Sequence, residues 1–85
     1  MDSTALNAAF GRVLRQQRKQ ARLTQEQLAL TADLQRNYVS ELERGQKQAS
    51  LMTLFKLASA LDVAPHELVR LLFMELWETE DRTRA

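Results

Sequence analysis

The chain has no cysteine, one histidine, one proline and two glycines among its 85 residues. Without cysteine, neither a disulfide nor a thiolate metal site can hold it. Its core has to come from packing, helped where needed by a partner subunit. The lone histidine, His66, has no second His or Cys to complete a metal set and reads as a surface or capping residue. There is no glycine-rich phosphate loop and no nucleophile beside an identifiable base, which argues against an enzyme and against a bound cofactor or metal. No apolar run approaches the roughly 20 residues that a membrane span needs. The opening MDSTALNAAFGRV is too polar and too broken by charge for a signal peptide. The expectation is a soluble, cytoplasmic chain with no membrane partner. Its length leaves room for one domain, residues 1–85, and none for a separate small-molecule effector domain. The net charge is only +1, so total charge points to no particular partner.

What is present is concentrated in residues 24–45, TQEQLALTADLQRNYVSELERG. Thr24 followed three residues later by Gln27 has the form of a capping box, which predicts a helix starting at Gln25 with Leu28 and Ala29 facing inward. That helix has to stop near Asp33, because Leu34, Val39 and Leu42 begin a new apolar stripe out of phase with the first. Aspartate is one of the few non-glycine residues that tolerate a left-handed turn. A second helix over 35–44 then ends at Gly45, the residue best suited to the position just past a helix C-terminus.

With FGRVLRQQR before it and ASLMTLFKLASALDVAPHEL after it, the run LTQEQLALTADLQRNYVSELERG resembles the helix-turn-helix domain of the lambda-repressor and Cro-like (Xre) transcription regulators. The resemblance covers roughly residues 10–68. It implies an all-α fold, a compact five-helix DNA-binding domain, with the motif at 24–45 and its third helix entering the major groove of double-stranded DNA. Four positions depart from the usual pattern: Asp33 for a turn glycine, Gln35 for a Ser or Thr cap, Ala49 for proline and Ala64 for a serine cap. They weaken local caps more than they threaten the fold, and the missing cap at Gln35 bears on how that helix start meets a phosphate. The absence of an effector domain resembles stand-alone controller proteins of restriction-modification systems, some phage repressors and some antitoxins. Repression and activation both stay open.

The charge distribution fits a DNA-facing side. Residues 1–50 carry a net +3 and residues 51–85 a net −2. The cations gather at Arg12, Arg15, Arg18, Lys19 and Arg22, then at Arg36, Arg44 and Lys47, as suits a phosphate backbone. A merely solvated face would be the better reading of the first helix taken alone. Within the second motif helix, Gln35, Arg36, Asn37, Ser40 and Glu41 can reach base edges. Arg bonds bidentately to guanine, Asn or Gln to adenine, and Glu accepts from the cytosine amino group. Arg36 and Asn37 are expected to be the main readers, with Glu41 next. The resemblance places phosphate contacts at Gln25, Arg44, Gln46, Lys47 and Gln48, and Tyr38 could add a hydroxyl contact. It also pairs Arg18 with Glu43 as a structural, partly buried ion pair at the base of the motif.

The flanking segments supply the remaining helices. Ser3 or Thr4 is expected to cap the first, which runs to about Ala21 and buries Leu6, Phe10, Val13, Leu14 and Ala21. Gly11 inside it suggests a close helix approach or a family feature rather than a break. Ser50 is a credible cap for a helix whose Leu51, Leu54, Phe55, Leu57, Ala58 and Leu61 are expected to fill the core. After a turn over 62–64, Pro65 suits the first position of a last helix, over 65–79, and Glu67 suits its dipole. That helix is too apolar for the single stripe a monomer needs. Its second face, with Phe73, Leu76 and Trp77, is expected to meet another copy of the chain in a symmetric homodimer. Glu75, Glu78, Glu80 and Asp81 would lie away from DNA. One alternative is that the extended helix folds back over its own core; another is a protein-interaction module, antitoxin-like, that uses the apolar last helix to bind a different protein.

Overall fold

The computed structural model describes the backbone of residues 2–84 and the side chains of residues 2–79. Five helices follow one another: α1 (Ser3–Gln20), α2 (Gln25–Ala32), α3 (Arg36–Glu43), α4 (Leu51–Ala60) and α5 (Pro65–Arg84). There is no strand among the described residues.

Each helix boundary has a local chemical cause. Asp2 caps α1, its carboxylate accepting from the Ala5 N–H at 2.9 Å, one residue before the Ser3 or Thr4 expected to do so. Thr24 and Gln27 form both halves of the capping box that starts α2. Asp33 ends α2 in the left-handed conformation, φ 57°, and Arg22 and Asp62 take similar values in the connections after α1 and α4. Gln35 stands at the N-cap of α3 without a side-chain cap bond. Gly45, at φ 73°, closes the far end of α3, its N–H donating to the Leu42 carbonyl and that of Gln46 to the Glu41 carbonyl. Ser50 accepts from the Thr53 N–H to start α4. The last helix begins at Pro65 and continues past the expected residue 79 to Arg84.

The core draws on every helix. Leu14, Leu28, Leu42, Leu57 and Leu68, one from each, are fully buried together with Val39. Burying a side chain of this size contributes about 1.5 to 3 kcal/mol relative to leaving it exposed. Three sequence expectations need correction. Ala21 lies past the end of α1 and is exposed. Leu51 and Phe55 do not fill the core: they are 73% and 53% exposed. Leu57, Ala58 and Leu61 fill it, with half-buried Leu54 packed against it. The apolar arc of α4 is wider than the groove that receives it, so its edge is left outside.

Gly11 sits where α1 crosses the C-terminal end of α3. A Cβ there would stand 2.5 Å from the Glu43 carbonyl oxygen and 2.7 Å from that of Leu42. Both obstacles are backbone, which cannot rotate away. Gly11→Ala is therefore expected to destabilise the fold by roughly 1 to 3 kcal/mol, although alanine is the better helix former by about 1 kcal/mol. Thermal unfolding followed by circular dichroism checks this, and an unchanged or raised Tm would refute the close approach.

Candidate nucleic-acid interface

The second motif helix, α3, buries Val39 and Leu42 and turns its other side outward. Gln35, Arg36 and Asn37 are exposed at its first turn, and Ser40 and Glu41 are half-buried one turn further on. Arg36, Asn37, Ser40, Glu41 and Arg44 line one shallow polar depression. Arg44 is held over it, donating to Ser40 Oγ at 2.6 Å and to Gln46 Oε1 at 3.1 Å. The side chains of Arg36 and Asn37 have no hydrogen bond or ion pair among the described residues. The surface therefore offers a guanidinium, an amide and a carboxylate, the set of donors and acceptors that base edges can match.

Beneath this surface lies a charge network. The Arg18 guanidinium donates to both oxygens of Glu43, at 2.6 and 3.0 Å, and to the Leu23 carbonyl at 2.9 Å. The two side chains are only 12% and 4% exposed. The hydrogen bond to Glu43, with the Coulomb attraction beside it, raises the Arg18 pKa further above neutral pH against the opposing effect of burial. Arg18 thus joins α1 to the end of α3. Gln25 completes the network by donating its amide to Glu43 Oε1 at 3.0 Å.

The residues expected along the phosphate-facing rim divide into two groups. Arg44, Gln46, Lys47 and Gln48 are exposed. Gln25 and Tyr38 are half-buried and bonded within the protein: the Gln25 amide nitrogen donates to Glu43, and the Tyr38 hydroxyl lies 3.3 Å from Thr53 Oγ1. Sequence reasoning missed both links because the partners are 18 and 15 residues away. The nearest local signal was the Ser50-x-x-Thr53 spacing of the α4 cap.

Away from this surface, α5 packs against α1 and α4 through Leu68, with Leu71 and Leu72 half-buried. Arg12 of α1 bonds Glu75 at 2.7 Å and lies 3.5 Å from Thr79, which fixes the back of the helix. Its front carries Phe73 and Trp77, 60% and 57% exposed, with ring centroids 6.2 Å apart. Leu76 is half-buried beside them. The exposed edge of α4 adds Leu51, Met52 and Phe55, and Leu51 and Val69 line one apolar groove together with Leu6 and Phe10 of α1. Glu78 is exposed. The side chains of Glu80 and Asp81, expected to extend the acidic end, lie outside the described residues. Among the described residues there is no group of three metal-ligating side chains and no helix long and apolar enough to cross a membrane.

Comparison with known proteins agrees with this geometry. The family described as helix-turn-helix matches residues 14–68. The control protein C.BamHI of Bacillus amyloliquefaciens is 41% identical over 61 residues, 71% of this chain and 75% of that protein. The crystal structure of the restriction-modification controller protein C.AhdI from Aeromonas hydrophila superposes with a TM-score of 0.71 at 47% identity, covering 73% of this chain and 94% of that one. The controller protein C.Esp1396I, solved as a tetramer on its natural 35 base-pair operator, gives 0.78 at 26% identity over 85% of this chain and 95% of that one. The chain belongs to the lambda-repressor and Cro-like (Xre) helix-turn-helix family of transcription regulators, with restriction-modification controller proteins among its homologues.

Proposed function

We propose that this protein is a sequence-specific transcription regulator that binds a two-fold symmetric operator as a homodimer, with α3 in the major groove. The observation that carries the reading is the pair Arg36 and Asn37, exposed at the first turn of α3, with side chains that no other side chain engages among the described residues. Side chains this close to a helix start reach base edges when the helix enters the groove end-on. Glu41, Ser40 and Gln35 complete the reading face. Arg44, Gln46, Lys47, Gln48 and Tyr38 set the register through phosphates, which carry no sequence information themselves. Gln25 would have to release Glu43 before its amide could join them.

Dimerisation is supported by the exposed apolar front of α5, with Phe73, Leu76 and Trp77 at its centre. A two-fold axis there would place two copies of α3 about 34 Å apart, facing successive major grooves. The operator-bound assembly of C.Esp1396I supports the same use of the fold in this chain.

Arg36→Ala is the substitution that tests the base-reading assignment. It is expected to lose about 1 to 3 kcal/mol of discrimination at one base pair per half-site while leaving the other positions as specific as before. Competition binding against operators altered one position at a time provides the measurement. A sequence preference identical to that of the parent would exclude Arg36 as a reader.

A further inference from the structure

Three hydroxyls link α3 to the start of α4. Ser50 Oγ accepts from the Thr53 N–H at 3.0 Å and donates to Thr53 Oγ1 at 3.0 Å. Thr53 Oγ1 lies 3.3 Å from the Tyr38 hydroxyl. The chain runs from exposed Ser50 through Thr53, the one buried polar residue among those described, to half-buried Tyr38.

Counting protons gives this chain a direction. A hydroxyl has one proton to donate and two lone pairs to accept with. Ser50 spends its proton on Thr53. Thr53 has to place its own, and Tyr38 is the remaining partner it has among the described residues. Either hydroxyl could be the donor by geometry, but a buried hydroxyl that withheld its proton would carry a desolvation cost, which favours the Thr53 O–H donating to the Tyr38 oxygen. The Tyr38 proton is then left without an acceptor inside the described structure. A Tyr hydroxyl that already accepts one hydrogen bond is a better donor for the next.

We propose that Thr53 and Ser50 are positioning residues that hold the Tyr38 hydroxyl as a directed donor to a DNA backbone phosphate. Tyr38 lies on the helix proposed to enter the groove, and the cap that starts α4 sets the angle at which its hydroxyl is presented. The proposal rests on the regulator reading above. It assigns Thr53 a purpose beyond capping, because the cap itself uses only the Ser50 side chain and the Thr53 N–H.

The test compares Tyr38→Phe, Thr53→Val, Thr53→Ser and the Tyr38→Phe/Thr53→Val double variant with the parent. Affinity is measured for the selected operator and for a random duplex of equal length, and Tm without DNA is recorded alongside. Tyr38→Phe is expected to weaken both duplexes by about tenfold, since a phosphate contact is blind to sequence. Thr53→Val is expected to weaken both by a comparable factor, the double variant by no more than the larger single effect, and Thr53→Ser to restore parental affinity. Each DNA comparison is made at a temperature where all variants are folded by circular dichroism. Independent, multiplying losses in the double variant would overturn the relay, as would parental affinity in Tyr38→Phe. A parent that binds no duplex at all would overturn the regulator reading itself, so the two failures are distinct.

Discussion

Glu43→Ala is expected to lower the stability of the fold by about 3 to 5 kcal/mol, because it strands the Arg18 guanidinium in a site with little water. Arg18 and Glu43 are 12% and 4% exposed and share two hydrogen bonds. Removal of the carboxylate leaves Arg18 with the Leu23 carbonyl alone and also frees the Gln25 amide. Domains of this size are stable by roughly 5 to 15 kcal/mol, so the loss would consume much of the total. Near the transition it corresponds to a fall in Tm on the order of 15 to 30 °C. Replacing both partners with apolar residues of similar volume should cost less than removing either one. Urea or thermal unfolding without DNA measures all three. The informative control is Glu43→Gln: if it melts like the parent while DNA affinity collapses, the residue belongs to the reading surface and not to the scaffold.

A second large effect is expected on α5. Phe73→Asp with Trp77→Asp should convert the protein to a monomer and weaken operator binding by about 100-fold or more. Half-sites that are no longer linked lose the effective concentration that the dimer provides, a factor of about 10² to 10⁴. Both rings are more than half exposed, so their replacement removes little of the protomer's own core. Sedimentation across a range of concentrations reads the association state, and fluorescence anisotropy with a labelled duplex reads the affinity. A parent that is already a concentration-independent monomer would refute the dimer. So would a double variant that sediments and binds like the parent.

The parts of the fold that could be read from residues alone are those with local causes. The Thr24 and Gln27 box, the left-handed Asp33, the Gly45 terminus, the Ser50 cap and the Pro65 start each depend on neighbours within about four residues. The edges of apolar stripes were less legible. Leu51 and Phe55 have the right spacing for a core, but which arc of α4 is covered depends on how α2 and α5 approach it. The cap of α1 moved to Asp2 because any of three adjacent polar residues could serve, and the carboxylate one position earlier reaches the Ala5 N–H. Within the candidate site, exposure of Arg36 and Asn37 follows from helical phase, which is visible in sequence. The bonds of Gln25 to Glu43 and of Tyr38 to Thr53 do not, because those partners come within reach only after the helices pack.

Whether α3 reads a symmetric DNA site is decided by selecting binding sites from random-sequence duplexes, with salt dependence measured on the best site. The expected result is enrichment of a two-fold symmetric motif with half-sites about one helical turn apart, and an affinity that falls steeply as salt rises. Failure to enrich any motif, with only weak salt-sensitive binding left, would contradict it. The apolar front of α5 would then be the place to look for a different protein partner.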